Sequence, residues 1–532
     1  MRGVPENPTA TRFRLTWRAA DEPHDLSVEG FGCVRVVRQA GASEAHLPFP
    51  GQGVRLASAE PDGTWLLETL TRNQVPLYLR RRGTDAVMVA NDLTLLIDEG
   101  EDIGLHVLTL LSLVTNSART VFSNLFEGIE LLLPASHYRV SRQPGGVDVA
   151  LSGIAFDELP RRSPAEVLEQ IVESYRQANL DADHVALGLS GGYDSRFELA
   201  IYKTLGKRVT ALHHTTSRRE GHLAAQVADT AGAHFVAVPH HEAAERGWDR
   251  LQHSGFTTRW DGFFAPGTPA SWGLIDAAPP DADGIRLLTA APLKGLLYDR
   301  RMGVEDWLAM GRFSALQHLT ADVPALRTRA QDAWEQRRST VASLTRMVAD
   351  TIERDDVRTD VLYFALYKSS GRSAGRVGPF VEAGMPMLTA QRSNREAFSA
   401  LPVQDKQDSQ FLQLATATLQ PELAALPRIT SSDNTVVRAL GPLGRLPGVK
   451  YLSRWVAPTV GMYDFHRPVD GRDTLLDDIP QLPAVVRMAA GKPSMMMSMT
   501  VQLLARLQHQ HRIRYHLDDP DGLDALLDTA GQ

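Results

Sequence analysis

Between residues 13 and 155 the apolar positions come in short runs separated by turn residues. Val34–Val37, Trp65–Thr69, Leu77–Arg80 and Val87–Ala90 are such runs, and this texture predicts strands. The arginines Arg80, Arg81 and Arg82 before Gly83 read as a solvated hairpin tip. The stretch from Gly104 to Val114 is apolar except for His106, Thr109 and Ser112, which predicts a buried helix over Leu105 to Val114. It is too short and too interrupted to cross a bilayer. Strand texture resumes at Glu130–Leu133 and Tyr138–Ser141. Ser163 followed by Pro164 then has the form of a helix start, a capping hydroxyl before a proline at the first helical position.

From residue 184 the pattern changes. Val185-Ala186-Leu187-Gly188-Leu189 is one apolar run, a Ser/Gly turn follows, and a helical pattern continues through Leu205. Val209–Leu212, Phe235–Val238 and Ile285–Leu288 are further runs, with a helix expected around Ala224 to Ala231. Strands alternating with helices at this spacing predict an α/β unit with a doubly wound parallel sheet. Beyond residue 300 the pattern is mainly helical, apart from a Pro/Gly-rich stretch from Gly441 to Asp473. Met495, Met496 and Met497 read as filler in a helical core. The expected division is therefore residues 1–155, rich in strands, and residues 156–532, a parallel-sheet unit with a helical C-terminal extension.

Composition narrows the field. Length 532 is more than one ordinary core needs, which agrees with two units. A net charge of −7 argues against a general nucleic-acid binder. The single cysteine, Cys33, excludes both a disulfide within the chain and a thiolate zinc site. The first residues are polar and lack the apolar core of a signal peptide, so a cytoplasmic location is expected. Paired histidines, His213-His214 and His240-His241, end the second and third runs, but no further ligand stands at metal-binding spacing.

One segment carries chemistry: Leu189-Ser190-Gly191-Gly192-Tyr193-Asp194-Ser195, between an expected buried strand and a helix. Ligands bind α/β sheets at the carboxyl ends of their strands. Adjacent glycines let backbone N–H groups approach a phosphate, and a helix start adds partial positive charge. Ser190 and Ser195 add hydroxyls, and the hard carboxylate of Asp194 suits Mg2+. The plain alternative is a tight turn that happens to contain Ser and Gly.

This spelling resembles the pyrophosphate loop of the N-type ATP pyrophosphatases, Ser-Gly-Gly-x-Asp-Ser. Three further segments resemble the asparagine synthetase superfamily in its own order. They are Pro76-Leu77-Tyr78; the run from Phe126-Glu127-Gly128-Ile129 through Leu133-Pro134 to His137-Tyr138; and Pro379-Phe380-Val381-Glu382. The resemblance extends from about residue 65 to about residue 435 and implies an N-terminal glutaminase-like (Ntn-type) α+β sandwich ahead of the ATP pyrophosphatase unit. It implies that Leu187, Gly188, Leu189, Ser190, Gly191, Gly192, Asp194 and Ser195 hold ATP, with Asp194 on Mg2+. It also places His213, Thr289 and Ala290 beside the base or ribose.

The departures are as informative. Glutamine-dependent members carry a cysteine at position 2; here Arg2 follows Met1, and Cys33 reads as an inert thiol within an expected strand. A glutaminase-like unit without its nucleophile resembles the beta-lactam synthetases and lasso-peptide cyclases, whose attacking amine comes from the substrate. Where the family has an acidic Ser-Gly-x-Gly-x-Asp-Glu segment, this chain has Leu288-Thr289-Ala290-Ala291-Pro292-Leu293-Lys294. Lys294 cannot bind magnesium; it is either a phosphate neutraliser or an ordinary surface lysine. Tyr367 and Glu382 are candidates for a Tyr–Glu base pair, or else a packed tyrosine and a solvated carboxylate. Arg428 stands near the place of a phosphate-binding lysine.

The expectation is an ATP-dependent carbon–nitrogen ligase that adenylates a carboxylate and passes the acyl group to an amine, with Lys294, Tyr367, Glu382 and Arg428 as catalytic candidates. Its substrate would be a small molecule or a peptide. Neither nucleic acid nor membrane is expected as a partner, whereas a biosynthetic partner protein or a homodimer is. The alternative is a non-catalytic relative that binds nucleotide without turnover.

Overall fold

The computed structural model describes residues 14–18, 27–29, 34–37, 53–58, 64–70, 77–114, 124–133, 135–143, 145–178, 183–215, 218–239, 242–243, 245–247, 273–278, 285–286, 320–363, 365, 392–427 and 495–530. Over these residues it is a mixed α/β protein with both antiparallel and parallel sheets. Among them, no helix is long and apolar enough to cross a membrane.

The strand-rich half forms two five-stranded sheets. The first is antiparallel and runs in the order β2 (Ser27–Glu29), β1 (Arg14–Arg18), β7 (Ala86–Ala90), β6 (Tyr78–Arg82), β9 (Ile129–Leu131). The second runs β11 (Gly146–Ile154), β10 (Ser136–Gln143), β5 (Trp65–Leu70), β4 (Gly53–Ser58), β3 (Val34–Val37), and only its β3–β4 pair is parallel. Alternation along β7 shows how the first sheet is used. Val87 and Val89 join Trp65, Leu67, Tyr138 and Val140 of the second sheet in one core. Met88 and Ala90, on the opposite face, pack with α1 (Val107–Val114) in another. A period of two with both faces apolar is the mark of a sheet covered on both sides.

Two expectations for this half need correction. Leu105 does not begin a helix. It ends β8 (Asp102–Leu105), which pairs in parallel with β16 (Arg514–Leu517). The turn into α1 is fixed from far along the chain, where Asp518 accepts from Val107 N at 2.9 Å and contacts His106 Nδ1 at 3.0 Å. The run Arg80–Arg82 is not a solvated tip, because the strand continues through it. Arg80 is buried, donates to Leu96 O at 2.6 Å and pairs with Glu101; Arg82 pairs with Asp98 and Glu101. Glu101 supplies the negative charge that lets these arginines sit within a sheet.

The second half contains a four-stranded parallel sheet, β14 (His234–Pro239), β13 (Arg208–Thr215), β12 (His184–Gly188), β15 (Ile285–Arg286). Val185 and Leu187 face α2 (Pro164–Ala178) and α3 (Tyr193–Thr204), while Ala186 between them packs with Leu212, Val238 and Leu274 on the other side. Both faces of β12 are therefore covered, and all five of its residues are buried. The helix start at Ser163 takes the form of a reciprocal cap: Ser163 N donates to Glu166 Oε2 at 2.7 Å, and Glu166 N donates to Ser163 Oγ at 3.4 Å.

The chain then returns to the first half. Helices α5 (Pro324–Thr351) and α6 (Asp355–Tyr363) place Val341, Leu344, Val348 and Val361 in the core shared by the two five-stranded sheets. The C-terminal α11 (Met495–His511) and α12 (Pro520–Ala530) complete the core on the outer face of the first sheet with Leu503, Leu507 and Leu523.

Candidate active site

The sequence Ser190–Ser195 sits at the carboxyl end of β12, a strand with parallel neighbours on both sides, and runs directly into α3. Leu187 and Leu189 reach this point with their side chains in the helix-side core, so only the main chain from Gly188 onward faces the sheet's carboxyl edge. Gly192 is the N-cap of α3, with φ −87° and ψ 174°. Any residue can adopt that conformation, so the backbone does not demand glycine here. A Cβ at Gly192 would also lie in ordinary contact, 3.4 Å from Ser190 Oγ.

Hydroxyl contacts hold the loop in shape. Ser190 N donates to Ser195 Oγ at 3.0 Å, the two hydroxyls are 3.0 Å apart, and Gly192 N donates to Ser190 Oγ at 3.2 Å. Ser195 is buried while Ser190 and Asp194 are half-buried. Asp194 lies in the first turn of α3, where the helix field favours a carboxylate.

His213, on β13, is buried beside the loop and bonds through Nδ1 to Leu189 O at 2.8 Å. A carbonyl only accepts, so Nδ1 carries the proton, and Nε2 of the neutral ring is an acceptor. That nitrogen is buried and, among the described residues, has no hydrogen-bond partner. The ring is stacked 6.0 Å from Phe235.

Behind the loop lie two charged-type residues that the sequence reading passed over. Glu198 is fully buried and accepts from Tyr175 OH at 3.0 Å. Burial pushes its carboxyl well above the ordinary range, the Tyr175 bond only partly offsets this, and the Asp194 charge adds to the rise. Arg196 is also fully buried. It donates to the main-chain carbonyls of Leu423 at 3.1 Å, Leu426 at 2.8 Å and Pro427 at 2.8 Å, which fixes the end of α10 (Pro421–Ala424) against α3. The available signal was a charged pair at Arg196 and Glu198 interleaved with Phe197, Leu199 and Ile201 on a helix with no polar face.

The structure thus brings Ser190, Gly191, Gly192, Asp194, Ser195 and His213 together. Thr289, Ala290, Lys294, Tyr367, Glu382, Arg428 and Cys33 lie outside the described residues. Among the described residues no three His, Cys, Asp or Glu side chains converge as a metal-binding group. A magnesium ion carried by a polyphosphate does not need such a group, since phosphate oxygens and water supply most of its ligands and one carboxylate is enough. The half-buried Asp194 carboxylate at a helix N-terminus fits that requirement.

Comparison with known proteins gives a local likeness. Over 84 residues the chain is 38% identical to the GMP synthase [glutamine-hydrolyzing] of Serratia proteamaculans (strain 568). The match covers 16% of this chain and 16% of that protein. No family model matches the chain.

Proposed function

We propose that the chain is an ATP-dependent carbon–nitrogen ligase of the ATP pyrophosphatase type. The observation that carries this reading is the Ser190–Ser195 loop at the carboxyl end of β12, closing onto the N-terminus of α3. The local identity to a GMP synthase supports the same broad class.

In this reading the loop takes the β- and γ-phosphates of ATP. Ser190 and Ser195 hydroxyls exchange their mutual contacts for phosphate oxygens, and N–H groups at the start of α3 face the developing charge. Asp194 is the residue that would hold a magnesium ion, and such an ion would supply charge neutralisation for the leaving pyrophosphate. A substrate carboxylate oxygen attacks the α-phosphorus, the bond from that phosphorus to the α–β bridging oxygen breaks, and its electron pair leaves on pyrophosphate. An amine then attacks the acyl carbon, AMP departs with the C–O bonding pair, and the amine proton passes to a base. Tyr367 and Glu382 are the candidates for that base, with Lys294 and Arg428 as candidate phosphate neutralisers. His213 Nε2 offers an acceptor on the base or ribose side, with Thr289 and Ala290 as further neighbours there.

A small molecule or a peptide carrying its own amine is the proposed substrate. Residues 1–155 are proposed as a glutaminase-like unit and 156–532 as the synthetase unit. Calorimetric titration with MgATP tests the first step: the wild-type chain binds, and His213→Ala weakens nucleotide without weakening inorganic pyrophosphate. Failure of the wild type to bind either ligand contradicts the reading.

A further inference from the structure

We infer that Arg196 is a fixed counter-charge for the polyanion held by the Ser190–Ser195 loop, acting from behind the loop without touching the ligand. The inference rests on the proposed reading of that loop. Arg196 follows Ser195 directly, and side chains on a helix lean toward its N-terminus, which here is the loop. Its guanidinium is wholly buried. Among the described residues its hydrogen bonds go to three carbonyl oxygens and to no carboxylate, and the Tyr193 ring lies 5.5 Å from its carbon centre.

Carbonyl dipoles and a π-face stabilise a cation without neutralising it, so a net positive charge remains in a low-dielectric setting. The neighbouring acid does not cancel it. Glu198 accepts from Tyr175 OH at 3.0 Å, burial pushes its carboxyl well above the ordinary range, and among the described residues no ion pair joins it to Arg196. Asp194, the remaining acid on this part of α3, is the group assigned to magnesium. The two charges at the loop thus divide the work: Asp194 takes the cation that accompanies the ligand, and Arg196 faces the ligand's excess negative charge. A neutral donor would tie down the Leu423–Pro427 turn at smaller desolvation cost, so a buried cation needs a reason beyond that bond.

The test titrates inorganic pyrophosphate, with magnesium, into the full-length wild type, R196K and R196Q, and measures thermal unfolding of each. R196K keeps the charge and loses the three-bond fork; R196Q keeps a donor and loses the charge. Both should unfold at lower temperature. R196Q should bind pyrophosphate about tenfold more weakly, and R196K within about threefold of wild type. Wild-type affinity in R196Q, or equal weakening in both variants, overturns the inference and leaves the loop assignment standing. If R196Q does not fold, R196K decides alone: retained affinity supports the charge, and tenfold loss overturns it. A wild type that does not bind pyrophosphate overturns the loop assignment and this inference with it.

Discussion

Asp194 and Asp360 show how differently one side-chain type is used within this chain. Asp194 opens α3 beside the Ser/Gly turn. Asp194→Asn keeps its shape and removes its charge, and should lower pyrophosphate release by roughly two or more orders of magnitude, since metal-assisted charge stabilisation is worth several kcal/mol. The unfolding temperature of the ligand-free variant should change little, so a large fall in stability with unchanged turnover would make the residue structural. Asp360 is a buried partner of Lys406, 2.8 Å from its Nζ, while Asp356 lies 2.5 Å from the same nitrogen. Burial raises Asp360 to about 6 even against the Lys406 charge. Burial also acts on Asp356, but Lys406 and Arg161 outweigh it and leave it below its ordinary value. The folded chain therefore takes up the Asp360 proton at a pH where the unfolded chain has lost it. Between about pH 6 and pH 4 this group favours folding on acidification, while Asp356 works in the opposite sense at lower pH. Asp360→Asn removes the first contribution, so its stability should fall more steeply than wild type over that window; parallel curves from urea unfolding would contradict this. At this scale the strand–turn–helix setting of Ser190–Ser195 was legible because its residues are consecutive. Arg196 and Glu198 were not, because a charged residue in an apolar helix shows its purpose only once the carbonyls of Leu423–Pro427 and the Tyr175 hydroxyl are in place.

At the scale of elements, period and capping foretold much of what folds locally. The continuous run of β12, the strand–helix alternation after it and the Ser163–Pro164 start are determined by neighbours in sequence. Boundaries set by distant partners were not foretold. Leu105 has helical neighbours but pairs with Leu517, and the arginines of β6 depend on Glu101. Tyr515 shows the weight of such a partner. It is buried in β16, donates to Leu504 O at 2.8 Å and lies 6.4 Å from the Phe126 ring. Tyr515→Ala leaves a cavity beneath β8 and α1 and should cost about 3–5 kcal/mol in chemical denaturation, the usual range for a large buried aromatic. A cost below about 1 kcal/mol, the level of ordinary surface changes, would mean that the C-terminal strand is not part of the folding unit.

For the whole molecule, composition and pattern pointed to a strand-rich half and a parallel-sheet half, while the interleaving between them was hidden. Arg392 pairs with Glu68 of the first half, and α5 and α6 place Val341, Leu344, Val348 and Val361 in that half's core; within the second half Arg161 pairs with Asp356 at 2.9 Å, Glu158 with Arg354 at 2.6 Å, and Arg392 also with Asp157. These bonds join residues far apart in sequence, which no local pattern reveals. The segment from Phe156 to Pro164, expected from sequence to be an open linker, is held by these bonds and by the buried Phe156, so limited proteolysis should cut there only slowly. A chain nicked near residue 160 should still elute as one particle, because α5, α6 and the C-terminal helices remain in the cores of the first half. Separation of the fragments without denaturant would contradict that. The central claim, cleavage of ATP between its α- and β-phosphates by the Ser190–Ser195 loop, is tested most directly by identifying the products. The full-length chain is incubated with MgATP, a panel of carboxylates and hydroxylamine as a surrogate amine, and the phosphorus products are resolved by 31P NMR. AMP and pyrophosphate in equal amounts, with hydroxamate formed and both lost in Asp194→Asn, is the predicted result; ADP and inorganic phosphate, or AMP formation unaffected by Asp194→Asn, would contradict it.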